Sequence, residues 1–180
     1  MKPLEKLDQL ETADGRKLTL YQREKFYYIK IGGLDLMTSE NHGSEEALAE
    51  LAFARTRGVK APRVLIGGLG MGYTLRAALD LLPPDGEVVV AELFPQVLRW
   101  NQEHLGHLAH HPLRDPRARV ELKDIHEQLR PDTYDLILND VDNGPGPMTQ
   151  SVNERLYTAA GLDRFRRALR PGGVLSIWSI

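Results

Sequence analysis

Residues 63–76 read Arg63-Val64-Leu65-Ile66-Gly67-Gly68-Leu69-Gly70-Met71-Gly72-Tyr73-Thr74-Leu75-Arg76. The short, continuous apolar run at the start suits a strand buried on both faces. The glycines that follow let the backbone take positive φ, approach a ligand closely and point amide N–H groups outward where a helix begins. Strand, glycine turn and helix start together make a nucleotide-binding α/β unit. Alone, such a turn is equally a tight connection with nothing bound. What favours a ligand is the next apolar run, Glu87 to Ala91, which ends in Glu92, roughly twenty residues beyond the turn, where such units place a ribose-binding carboxylate.

Working outward, strands are predicted at 63–67, 87–91, 119–122, 135–139 and 174–180, alternating with helices at 73–82, 95–105, 125–130 and 153–169. Upstream, Ser44 is placed to cap a helix over Glu45 to Arg57 that Gly58 closes. Alternation of this kind gives a mostly parallel, Rossmann-like sheet with helices on both faces. Before it, between Leu7 and Ser39, the turn pairs Asp14-Gly15 and Gly32-Gly33 separate β-branched and aromatic runs. These predict a small antiparallel β appendage of two or three strands, too small to stand alone, packed on the main domain or a second subunit. The expected division is an appendage over residues 1–43 and a nucleotide-binding domain over 44–180.

In an open parallel sheet the ligand lies beyond the carboxyl ends of the strands. Glu92, Asp124 and Asp140 each fall just after a predicted strand, and Asp140 opens the shaped loop Val141-Asp142-Asn143-Gly144-Pro145-Gly146-Pro147. Three successive strand-end acids point to a polar ligand with hydroxyl and amine donors. The chain has 180 residues, a net charge of −2 and no cysteine. The charge gives no broad field for nucleic acid or an anionic membrane, and the missing cysteine excludes disulfides, thiolate metal sites and a thiol nucleophile. No apolar run reaches membrane length and the N-terminal segment lacks a signal-peptide core, so a cytoplasmic protein is expected.

At these positions the chain resembles the spermidine synthase family, aminopropyltransferases built on the fold of S-adenosylmethionine-dependent methyltransferases. The family's glycine turn followed by T-L-R is similar to Gly68 to Gly72 followed by Thr74-Leu75-Arg76. Its G-D motif is similar to Lys123-Asp124, its catalytic loop to Asp140 through Pro147, and its L-Y-T and L-x-P-G-G motifs to Leu156-Tyr157-Thr158 and Leu169 to Gly173. The resemblance covers about 63–180 well and 44–62 loosely. It implies binding of decarboxylated S-adenosylmethionine, or of S-adenosylmethionine, by Gly68, Gly70, Gly72, Glu92, Leu93 and Asp124, with Glu92 on the ribose and Asp124 on the adenine amino group. It implies a small-molecule polyamine acceptor, held by Asp142, Asn143, Glu45, Glu46 and Tyr157 and deprotonated by Asp140, in a homodimer that needs no metal.

Three positions depart from the family's pattern. Met71 stands where members carry an acid in the turn, Asn143 where they carry a second acid in the loop, and Ser44 or Glu45 where they carry a tyrosine. Methyl transfer from S-adenosylmethionine by the same nucleotide-side residues is therefore the alternative, and a non-catalytic adenosyl-nucleoside binder is a third. His104, His107, His110 and His111 are read as a surface loop, since Gly106 and Pro112 interrupt any shared helix face. Trp100 and Trp178 are read as core. The family's fold continues past its fifth strand, whereas this sequence stops at Ile180, so a truncated form or an edge covered by another subunit is expected.

Overall fold

The computed structural model describes residues 2–56, 58–141 and 151–178. Four strands, β1 (Glu5–Glu11), β2 (Lys17–Arg23), β3 (Phe26–Ile31) and β4 (Leu34–Thr38), form an antiparallel meander in sequence order. The prediction was two or three. The extra strand, β1, is a charged edge with little buried surface, so alternation does not announce it. The turn between β2 and β3 also lacks the usual signal, because Glu24 takes a φ of 58° where glycine or asparagine is the common choice.

The helix α1 (Gly43–Phe53) then leads into alternating β5 (Arg63–Gly67), α2 (Tyr73–Leu81), β6 (Glu87–Glu92), α3 (Pro95–Trp100), β7 (Ala118–Leu122), α4 (Ile125–Gln128), β8 (Tyr134–Asn139), α5 (Ala159–Ala168) and β9 (Leu169–Ile177). All five strands are parallel, in the order β7-β6-β5-β8-β9. The order reverses between β5 and β8, which opens a crevice at their carboxyl ends. This is a Rossmann-like fold of the methyltransferase type with an antiparallel sheet before it.

Side chains alternate between the faces of the parallel sheet. Val64, Ile66, Val88, Val90, Leu136 and Leu138 share one cluster, which also holds the inner face of the N-terminal sheet through Leu18, Leu20, Ile29 and Ile31. Leu65, Val89, Ala91 and Ile137 face the other way, onto Ile125, Phe165 and Ala168 of α4 and α5. Burial on both faces explains why these strands read as unbroken apolar runs. Trp100 is fully buried, as expected, and its indole N–H donates to Asp8 Oδ2 at 2.7 Å, so the edge strand β1 is fastened to α3.

Several boundaries differ from expectation for local reasons. His42, not Ser44, occupies the cap position of α1, and the Ser44 hydroxyl instead donates to Glu45 Oε2 at 2.6 Å. The helix also stops at Phe53 rather than at residue 57. The predicted helix 95–105 is α-helical only to Trp100, then passes through a π turn over Asn101–Leu105. The predicted helix 153–169 is a 3-10 stretch, Ser151–Tyr157, followed by α5, whose cap Thr158 accepts from the Gly161 amide at 3.1 Å. The last strand begins at Leu169, with a register shift against β8 that accommodates Pro171-Gly172-Gly173. Among the described residues no helix is long and apolar enough to cross a membrane.

Candidate active site

The glycine turn crosses the carboxyl ends of the central strands. Gly68 donates its amide to the Ala91 carbonyl at 2.9 Å, and Asp140 donates its own to the Gly67 carbonyl at 3.0 Å. Gly68 has a φ of +85°, and a Cβ there would lie 2.7 Å from the Asp140 carbonyl oxygen, so conformation and space both require glycine. Gly70 passes beneath the N-terminal sheet, where a Cβ would meet Met37 Sδ at 3.1 Å. The Gly70 carbonyl is held from below by Asn101, whose side-chain amide donates to it at 2.8 Å and to the Val97 carbonyl at 3.0 Å.

Between this turn and the N-terminal sheet lies a cavity. All three strand-end acids, Glu92, Asp124 and Asp140, line it, and so do Gly68, Gly70 and Leu93. Glu45 reaches it from the first turn of α1. Gly72, Glu46 and Tyr157 do not. Gly72 is the cap of α2, Glu46 is turned outward onto the His42 ring nitrogen Nδ1 at 2.8 Å, and Tyr157 packs against the cluster on the opposite sheet face. Asp142 and Asn143 lie outside the described residues. Met71 is fully buried in the core and does not line the cavity.

The acids differ in environment. Glu92 is buried and accepts the Leu69 amide through Oε2 at 2.9 Å and the Phe94 amide through Oε1 at 2.8 Å. Burial pushes its carboxyl up, against the pull of the Phe94, Leu69 and Leu93 amides. A carboxylate has about four acceptor positions, so hydrogen-bonding capacity remains for ligand hydroxyls. Asp124 caps α4 by accepting the His126 amide at 2.8 Å through Oδ1, and Oδ2 pairs with Arg155. Asp140 accepts from the Thr74 hydroxyl at 2.6 Å. Burial pushes its carboxyl up to about 7, Thr74 pulls it down, and the charge of Glu45 adds to the rise. Leu93 and Phe94 supply an apolar edge beside Glu92.

Some lining residues were not foreseen. Leu18, Ile29, Leu36 and Met37 come from the N-terminal sheet, and Trp178, read as core from the sequence, is partly exposed and faces the cavity. Nothing in the local patterns reveals them, because they depend on how two sheets dock. Thr74 was visible only as part of a motif. Of the histidines, His107 packs edge-on against Tyr27 at 5.6 Å, and among the described residues no group of three or more histidines, cysteines or acids is arranged to hold a metal ion.

Fold and cavity together define an open α/β sheet with an acid-lined cavity at the carboxyl ends of its strands, where such sheets hold their ligands. No protein-family model and no curated protein matches the chain. Solved structures do. A spermidine synthase in complex with the transition state analogue AdoDATO superposes with a TM-score of 0.77 at 21% identity, covering 96% of this chain and 57% of that one. The spermidine synthase from Thermotoga maritima gives 0.75 at 20%, covering 96% and 56%. A probable spermidine synthase from Corynebacterium glutamicum ATCC 13032 gives 0.67 at 18%, covering 98% and 64%. The chain thus has the fold of spermidine synthases and spans less than two thirds of the length of these three.

Proposed function

We propose that the protein is a spermidine-synthase-like aminopropyltransferase that moves an aminopropyl group from decarboxylated S-adenosylmethionine to an amine. The observation that carries this reading is Asp140, a carboxyl in the cavity wall whose proton affinity is raised to about 7, beside the glycine turn that would hold the nucleoside. A general base works best with a pKa near the working pH. Glu92 would take the ribose hydroxyls, with Leu93 and Phe94 along the adenine, and Asp124 would reach the adenine amino group by sharing its Arg155-bound oxygen.

The chemistry asks little of an acid catalyst. The acceptor ammonium gives a proton to Asp140, and the freed lone pair forms a C–N bond to the carbon next to the sulfonium. As the C–S bond breaks, sulfur keeps the electron pair and leaves as a neutral thioether, so the leaving group needs no proton. The protein contributes deprotonation and alignment of nitrogen, carbon and sulfur.

A second reading, methyl transfer from S-adenosylmethionine, is favoured by Met71: no acid from the turn's own strand–helix connection faces the cavity. Calorimetric titration with decarboxylated and intact S-adenosylmethionine at matched pH and salt tests both. Preference for the decarboxylated nucleoside supports aminopropyl transfer; preference for the intact one supports methyl transfer.

A further inference from the structure

We infer that Glu45 is a second catalytic carboxylate, which faces the attacking nitrogen across from Asp140 and meets the positive charge that forms there as the C–N bond is made. This rests on the aminopropyl-transfer reading and adds a residue to it. The need for such a group follows from the chemistry. Asp140 starts as an anion, takes a proton from the acceptor ammonium and is then neutral. The nitrogen, for that moment an uncharged amine, becomes a substituted ammonium as its lone pair closes on the carbon and the C–S electron pair leaves with sulfur. Positive charge thus passes from sulfur to nitrogen when the base can no longer offset it, and a fixed anion beside the nitrogen stabilises that transition state.

Glu45 has the properties of that anion. It is only 7% exposed, yet it lines the same cavity as Asp140. Its helix, α1, packs on β8, which ends at Asp140, and on α2, whose Thr74 donates to Asp140. The Ser44 hydroxyl donates to Glu45 Oε2, and among the described residues Oε1 has no hydrogen-bond or ion-pair partner. Lys123 also lines the cavity, but it adjoins Asp124 in the chain and its Nζ lies 4.0 Å from Glu121. Residues 142–150, which follow Asp140 and Val141, contain no lysine, arginine or histidine. The first turn of α1 favours a negative charge without neutralising it. A buried carboxylate kept in this way costs stability until a cation reaches it. Its charge is felt at Asp140, where it adds to the raised proton affinity, so the two carboxyls act on one part of the cavity.

The test compares the parent protein with Glu45→Gln, using decarboxylated S-adenosylmethionine and two acceptors, n-butylamine with one nitrogen and 1,4-diaminobutane with two. Glu45→Gln should lower kcat/KM by about 10²-fold with both amines. Its rising pH limb should move to lower pH as the Glu45 charge is lost, and the dissociation constant of the donor should stay within about twofold. Without turnover, n-butylamine titrated into the protein saturated with methylthioadenosine should bind about tenfold more weakly to Glu45→Gln, with losses that are not additive with those of Asp140→Asn. A loss confined to the diamine places Glu45 at the acceptor's far end, and weakened donor binding places it on the aminopropyl ammonium. Either outcome, or amine binding and transfer unchanged in Glu45→Gln, overturns the inference and leaves aminopropyl transfer standing; failure of the parent to bind n-butylamine overturns the inference as well. Transfer to neither amine, with intact S-adenosylmethionine bound in preference, overturns the aminopropyl reading and the inference with it.

Discussion

Asp140 sits where three influences meet, and each can be changed separately. Because its carboxyl titrates near 7, log kcat/KM should rise with unit slope up to about pH 7 and then level, as the ionised form becomes available to accept a proton. Thr74→Val removes the hydrogen bond that pulls the carboxyl down, so the rising limb should move to higher pH. Asp140→Asn should cut turnover by about 10²–10⁴ and leave the dissociation constant of the nucleoside within about twofold. The same raised affinity has a cost in folding. The folded state holds this proton after the unfolded chain, whose carboxyl titrates at the ordinary 3.8, has released it, so the stability contributed by the neutral group is full below pH 3.8 and is lost as pH rises through about 7. Urea unfolding should show this decline in the parent protein and its absence in Asp140→Asn. Asp140, Glu92 and Asp124 were legible in the sequence because each follows an apolar run. Thr74 and Met37 were not, since their roles depend on residues 66 positions away and on the apposition of two sheets.

At the scale of elements, the π turn after α3 is where the helix departs from regular geometry and meets the site. Its first residue, Asn101, carries the amide that holds the Gly70 carbonyl. Asn101→Leu keeps the approximate volume and leaves that carbonyl without its donor, so it should cost about 1–3 kcal/mol in thermal or denaturant unfolding and weaken nucleoside binding. Phe165 of α5 lies on the opposite face of the sheet and is fully buried. Phe165→Ala should cost about 3–5 kcal/mol in the same unfolding measurement while the nucleoside affinity of the folded fraction is kept. The parallel strands were readable because double burial selects continuous apolar runs. The π turn was not, because a side chain reaching across to a neighbouring loop leaves no periodicity, and β1 was not, because Glu5, Lys6 and Glu11 face water and no residue of the strand is fully buried.

Across the whole molecule, the N-terminal sheet is both a packing partner and a wall of the cavity. Its outer strand is fastened by Asp8, which accepts from Trp100 and pairs with Arg99. Asp8→Ala should leave the indole N–H in a buried setting without its partner, cost about 1–3 kcal/mol in denaturant unfolding, and loosen the wall over the glycine turn. That the sheet would be antiparallel was plain from its turn pairs; which surface it would cover was not, because docking is set by shape across distant segments. The strand order β7-β6-β5-β8-β9 bears on how the chain is made. During synthesis β5 can pair with β6 soon after both emerge from the ribosome, but its other edge stays open until residues 134–139 follow. For that interval the nascent chain presents Val64-Leu65-Ile66 as an unpaired apolar edge, and the cradle beside Gly68 has no floor until the Asp140 backbone arrives.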